Sequence, residues 1–237
     1  MQWLGSVVFT AFLPLWTFCY AIFFVVACSL LPLRRRMVLV RVWARVLMAV
    51  LRWTCRLDYV VEGRGNIPAG NHIAVWKHSS SWETVAMALV FPDQAWVLKH
   101  ELIWIPFVGW GIRQMRAIAI DRSSGASAVN QVVEQGKARL AAGLWLMLFP
   151  EGTRMTPGKT RRYGVSAALL ASQTGKLLVP VAHDAGYFWP RRGLLKKPGT
   201  IHLVIGPAVA PAGRGPREIN EELQRWIENE IRRLRSR

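Results

Sequence analysis

The first 33 residues of this chain contain no Asp, Glu, Lys or Arg, and Arg34, Arg35 and Arg36 follow at once. A helix crossing the hydrocarbon core needs about 20 apolar residues, so residues 3–33 are long enough to span. The positive charge behind them predicts that their C-terminal side faces the cytoplasm. A cleaved signal peptide fits badly: there is no basic start, the apolar run is too long, and the charge comes after it. Two arrangements stay open. Residues 3–33 either span the bilayer or form a hairpin with residues 37–57 that dips into one leaflet.

Between Met37 and Leu57 the pattern changes. Arg41, Arg45, Arg52 and Arg56 recur at helical spacing and make one cationic stripe, with apolar residues such as Val42, Val46, Leu47 and Trp53 between them. Such a helix suits the lipid interface, its arginines among phosphates; the alternative is a core helix with a solvated stripe. The formal charge of +17 comes with 52% hydrophobic residues. Nucleic acid would account for the charge alone, whereas an anionic membrane surface accounts for both. Cys19, Cys28 and Cys55 are an odd set with no CxxC spacing, so neither a disulfide framework nor a structural zinc site is expected. Residues 56–237 hold no thiol for covalent catalysis.

Past residue 57, short apolar runs alternate with helical stretches. Strands are expected at residues 73–77, 95–99, 117–120, 144–149, 177–182 and 201–205, and helices at 81–91, 124–142, 163–174 and 216–234. The alternation predicts an α/β fold, a single layered domain at residues 58–237 with a mixed, largely parallel sheet flanked by helices. A membrane-associated helical segment at residues 1–57 precedes it. Residues 190–198, rich in Arg, Lys and Pro, are expected to form a basic surface loop.

Four segments at strand ends carry possible chemistry. In Lys77-His78-Ser79-Ser80-Ser81-Trp82-Glu83, a histidine precedes a helix and a carboxylate lies five residues on. A His takes a proton from an alcohol, and a carboxylate on its other nitrogen fixes the tautomer. The two meet only if His78 lies in the loop before the helix. The competing view is that Glu83 merely caps its helix, since Ser80 to Glu83 is a capping-box pattern with Ser80 at the N-cap. Ile120-Asp121-Arg122 puts a guanidinium at a strand end, and Arg holds phosphate through a planar fork. Phe149-Pro150-Glu151-Gly152-Thr153-Arg154 combines a glycine turn, with backbone N–H groups expected to be exposed, and a second Arg. Pro180 inside an apolar strand marks an edge, a bulge or an end. His183 beside Asp184 is a weaker candidate pair. The plain alternatives for these segments are surface ion pairs and charged turns.

Taken in order, the segments resemble the glycerolipid acyltransferases, most closely the bacterial 1-acyl-sn-glycerol-3-phosphate acyltransferases. The likeness covers about residues 70–185: His78 to Glu83 for His-x4-Asp, Ile120-Asp121-Arg122, Phe149 to Arg154 unchanged, and Val179-Pro180-Val181. Lys99-His100-Glu101-Leu102 with Pro106 and Gly109 is similar to the family's Lys-x-Glu-Leu stretch. Glu83 departs from the usual Asp by one methylene. The resemblance implies acyl transfer from a thioester to the 2-hydroxyl of lysophosphatidic acid. It makes His78 the general base, Glu83 its orienting acid and Lys99 the oxyanion stabiliser. Arg122 and Arg154, with Glu151, Gly152 and Thr153 around them, would hold the substrate. It implies no metal and no dissociable cofactor, a donor on coenzyme A or acyl carrier protein, and a bilayer as partner. The place implied is the bacterial inner membrane, with the catalytic domain on the cytoplasmic side. The motifs do not separate lysophosphatidic acid from another lyso-lipid acceptor.

Two other classes compete. Gly152 to Thr160 imitates a phosphate loop, but five residues separate its glycines where the Walker pattern has four. A basic adaptor for membranes or nucleic acid would use the 24 arginines equally well, but the charge-free start favours lipid and argues against nucleic acid.

Overall fold

The computed structural model describes residues 2–121 and 124–236. Its N-terminal part is a helical hairpin, α1 (Gln2–Ser29) and α2 (Leu33–Cys55). Gly5 lets the two helices close, for a Cβ there would fall 1.9 Å from the Thr54 carbonyl oxygen. The Tyr20 hydroxyl donates to the Leu39 carbonyl at 2.9 Å and ties the other end. Both ends of α1 also rest on the rest of the molecule. Ser6 Oγ accepts the Lys196 N–H at 2.9 Å, Phe9 meets Trp189 edge-on, and Gln114 Nε2 donates to the Val25 carbonyl at 3.3 Å. A helix held at both ends by one domain lies along it, and α1 and α2 pack as a hairpin on the sheet. The outward face of α1 stays apolar and open, with Leu4, Leu15, Phe23 and Val26 more than half exposed.

One face of α2 belongs to the core, while Val38, Val42 and Trp53 on its other side stay exposed. Met37, Val40, Ala44, Leu47, Met48 and Leu51 are buried against α1 and the sheet. Two of its arginines bind acids of the protein: Arg41 pairs with Asp93 at 2.8 Å and Arg52 with Asp58 at 3.1 Å.

The sheet comprises β1 (Leu57–Glu62), β2 (Ile73–Trp76), β3 (Gln94–Lys99), β4 (Ile118–Ile120), β5 (Trp145–Leu148), β6 (Leu178–His183) and β7 (Gly199–Ile205), in the order β1-β7-β6-β2-β5-β3-β4. Strands β6, β2, β5, β3 and β4 run parallel; β7 runs antiparallel to β6, and β1 pairs parallel with β7. The mixed, largely parallel sheet is thus as expected. Its central strands read as unbroken apolar runs because both faces are covered. Ala74, Trp76, Trp145 and Met147 face the hairpin and α3 (Trp82–Val90). Ile73, Val75, Leu146 and Leu148 face α5 (Ala126–Ala141), α6 (Ser166–Thr174) and α8 (Pro216–Arg235). The hairpin therefore supplies one side of the core rather than being an appendage.

Among the features not expected from sequence are β1, a 3-10 turn at Arg64–Asn66, the helix α4 (Val108–Gln114) with a 3-10 turn before it (His100–Trp104), and the single helical turn α7 (Ala185–Phe188). Pro180 sits in a central strand, not at an edge. It falls just where the β6–β7 ladder stops at Val181, and Gly206 N–H closes the gap onto its carbonyl at 2.9 Å.

Candidate active site

Because five strands run parallel, the loops after β2, β3, β4, β5 and β6 leave from one sheet edge, where α/β proteins assemble their sites. β2 delivers Lys77 and His78 into a loop, and α3 begins only at Trp82. That gives the condition under which His78 and Glu83 can meet, and His78 Nδ1 lies 2.9 Å from Glu83 Oε1.

The same oxygen accepts the N–H groups of Ser79 and Ser80, both at 2.9 Å, while Ser80 Oγ accepts the Trp82 N–H at 3.1 Å. Half of the capping box forms: Glu83 accepts the Ser80 N–H, but Ser80 Oγ takes the Trp82 N–H and Ser81, not Ser80, is the N-cap, so Glu83 both ties the loop and orients His78. Glu83 is fully buried. Burial pushes its carboxyl up, but the His78 hydrogen bond, the electrostatic pull of the His183 and His78 rings and the Ser80 N–H outweigh it and hold Glu83 below the ordinary carboxylate range. An ionised carboxylate only accepts, so Nδ1 of His78 carries the proton and Nε2 is the basic nitrogen. The ring lies flat on Phe149 at 4.1 Å.

His183 and Asp184 do not act as a pair. His183 Nε2 donates to the Lys77 carbonyl at 2.9 Å, and Asp184 Oδ1 accepts the His202 N–H at 2.9 Å. His183 is instead a fully buried neighbour of Glu83, 3.9 Å from Oε2.

Glu151 needs correcting as a substrate-side residue. Its side chain is fully buried and turned inward: Oε1 lies 2.8 Å from Lys77 Nζ, and Oε2 accepts the His78 N–H at 2.9 Å. Lys77 Nζ also reaches Glu228 of α8 at 2.6 Å. Together with the Met155 N–H donating to the His78 carbonyl at 2.7 Å, this clamps the His78 main chain from both sides. Lys77 and Glu228 were missed from sequence. Lys77 stood beside the histidine, but nothing in α8 marked Glu228. Gly152 turns the chain at φ +67°, and its N–H donates to the Phe149 carbonyl at 3.0 Å instead of opening outward.

One lysine here serves two carboxylates. Burial pushes the Glu151 carboxyl up to about 7; Lys77 opposes the shift and Glu228 adds to it. A carboxyl raised on folding stabilises the fold fully below pH 4.5, its ordinary value, and that contribution is lost as pH rises through about 7. Glu228→Gln removes one negative charge and lets Glu151 titrate lower. The variant's unfolding temperature in detergent should therefore fall less than the unmodified protein's between about pH 5 and pH 8. Parallel curves would contradict this coupling.

His78 opens onto a cavity of about 670 Å³ between the hairpin and the sheet. Leu13, Phe24, Leu47 and Met87 are among its apolar lining, and Lys99, Thr153, Arg154 and Arg191 are among its polar lining. Arg154 Nε is buried with no hydrogen-bond partner among the described residues, an unspent donor. Arg191, also missed, donates from Nη1 to the Arg154 carbonyl at 2.8 Å and draws the basic loop onto the site. Lys99 is half exposed, with Nζ 2.5 Å from Glu101. Arg122 lies outside the described residues. The structure thus brings His78, Lys99, Thr153 and Arg154 to the lining of one cavity, with Glu83 and Glu151 buried behind His78.

Residues 58–184 match the Acyltransferase family model. A 1-acyl-sn-glycerol-3-phosphate acyltransferase of Pseudomonas aeruginosa is 36% identical over 231 residues, 96% of this chain and 90% of that protein. One of Borreliella burgdorferi is 27% identical over 168 residues, 70% of this chain and 67% of its own. The crystal structure of the 1-acyl-sn-glycerophosphate acyltransferase of Thermotoga maritima superposes with a TM-score of 0.82, covering 100% of this chain and 97% of that one at 24% identity.

Proposed function

Since this chain belongs to the Acyltransferase family, we propose that it moves a fatty acyl group from a thioester to the 2-hydroxyl of 1-acyl-sn-glycerol-3-phosphate, giving phosphatidic acid. The observation that carries this reading is the buried His78–Glu83 pair, whose His78 lines an apolar cavity that Arg154, with an unspent Nε donor, lines as well. His78 Nε2 takes the hydroxyl proton as the oxygen attacks the thioester carbonyl. Glu83 stabilises the imidazolium that forms. The tetrahedral oxyanion collapses, the C–S bond breaks, and the imidazolium returns its proton to the departing thiolate. A thioester is already activated, so the reaction needs neither an acyl-enzyme nor a cofactor.

Lys99 at the cavity edge is the candidate for stabilising the oxyanion. Arg154, and Arg122 beyond the strand end, are the candidates for the substrate phosphate. The cavity has the size and lining to hold an acyl chain. The open apolar face of α1 suits a bilayer, and the Arg34 to Arg36 cluster favours the cytoplasmic leaflet of the inner membrane. Coenzyme A and acyl carrier protein are both anionic donors, and a chain of charge +17 attracts either.

The test is a panel of lyso-lipids, each offered with acyl-coenzyme A and with acyl carrier protein thioester, scoring thiol release and lipid product. Lysophosphatidic acid should give matched amounts of both; no product with any acceptor would refute the reading. Arg154→Ala should raise KM for lysophosphatidic acid about 10- to 100-fold with a smaller change in kcat, the loss of one charge-assisted hydrogen-bonding group. An unchanged KM would remove Arg154 from phosphate binding.

A further inference from the structure

Of the stretch Lys99 to Gly109, only Lys99 has a place in the chemistry above. The stretch continues through the 3-10 turn His100–Trp104 into α4, and this segment has two different sides. Leu102, Val108 and Ile112 line the cavity. Trp104 and Trp110 face outward, 67% and 48% exposed. One layer of chain thus separates the apolar cavity from the surroundings.

The outer side continues the exposed face of α1, since the Phe107 ring meets Phe18 edge-on at 5.6 Å and Phe18 is itself exposed. The Arg113 guanidinium lies 5.7 Å from the Trp104 ring, putting a cation at the edge of the aromatic patch. Tryptophans flanked by a cation suit the headgroup level of a bilayer, one face apolar and one end wet. Phe107 is a bulky residue at φ +59°, ψ −52°, a strained backbone at the joint between the turn and α4. Strain of this kind gathers at segments that move or clamp ligands.

We propose that residues 100–114 sit in the lipid interface beside α1 and form the side entrance through which the acyl tail of the lyso-lipid passes from the bilayer into the cavity. The identity of that lipid rests on the acyltransferase reading. Three features select bilayer lipid as the occupant: continuity with the apolar face of α1, the tryptophan and arginine edge, and a cavity immediately behind the wall. A protein partner would need only the patch and not the cavity behind it.

The test offers the acceptor in two forms to protein bound to phosphatidylglycerol vesicles. One is long-chain lysophosphatidic acid carried in the vesicles; the other is hexanoyl lysophosphatidic acid dissolved in water. Trp104→Ser combined with Trp110→Ser should raise the apparent KM for the vesicle-borne acceptor about tenfold and leave that for the dissolved one within about twofold. Equal changes for both forms, or none for either, would overturn the entrance. Activity of the unmodified protein on neither form would refute the acyltransferase reading itself. A second measurement does not depend on the variants' kinetics. A benzophenone side chain replacing Trp104 should crosslink to vesicle lipid, while one replacing Arg217, exposed on α8, should not. Crosslinking of position 104 to protein instead of lipid would also overturn the proposal.

Discussion

His78→Ala is expected to lower kcat by about 10²- to 10⁴-fold, the usual contribution of a positioned general base. The loss should fall on kcat, with KM for either substrate moving only a few-fold, because the ring acts on a proton that moves in the transition state. Folding should survive: Glu83 keeps the N–H groups of Ser79 and Ser80, and the main chain of residue 78 keeps its bonds to Glu151 and Met155. Steady-state thiol release, with vesicle sedimentation and thermal unfolding as controls, checks it. Near-normal transfer by a folded variant would remove the base from the mechanism.

Glu83 carries two loads on one oxygen, and two substitutions separate them. Glu83→Ala strands the Ser79 and Ser80 N–H groups, both buried, along with the His78 ring. Each unsatisfied buried donor costs about 1–3 kcal/mol, so this variant should be destabilised by several kcal/mol as well as inactive. Glu83→Gln retains an accepting oxygen of the same reach but no charge. It should keep most of the stability and still lose at least about 10²-fold in kcat, since nothing offsets the imidazolium. Adding Glu83→Gln to His78→Ala should cost little more than His78→Ala alone, as expected of two groups that act as a unit. Equal stability losses for Ala and Gln, or additive losses in kcat, would show that capping and catalysis are not joined at this oxygen.

The dyad was legible because its condition is local. Ser80 to Glu83 fixes where α3 starts, and that start fixes whether His78 can reach back. The central strands were legible from their unbroken apolar runs, and the parallel order followed from the alternating helices. What escaped depends on partners far away in sequence. β1 has mixed burial and is defined by its pairing with β7, about 140 residues later. α4 contains Gly109 and Gly111, poor helix formers, and is held by packing on α1 instead; a Cβ at Gly111 would fall 3.2 Å from the Phe24 ring. The role of Glu151 was misjudged for the same reason. A carboxylate in a turn looks available to substrate until Lys77 and Glu228 arrive from β2 and α8. Sequence alone also cannot say which apolar residues of α2 meet the sheet, as Met37, Val40 and Leu51 do, and which stay exposed, as Val42 and Trp53 do.

The central claim is that Glu83 holds the proton of His78 on Nδ1 and so leaves Nε2 basic toward the cavity. Nitrogen NMR of ¹⁵N-imidazole-labelled protein in detergent at neutral pH reads this directly, with the His78 signal assigned by its loss in His78→Ala. The account predicts a protonated Nδ1 and an unprotonated Nε2 for His78, with that preference lost in Glu83→Gln. His183, which donates from Nε2, should show the opposite tautomer. A His78 protonated on Nε2, or a tautomer indifferent to Glu83→Gln, would contradict it.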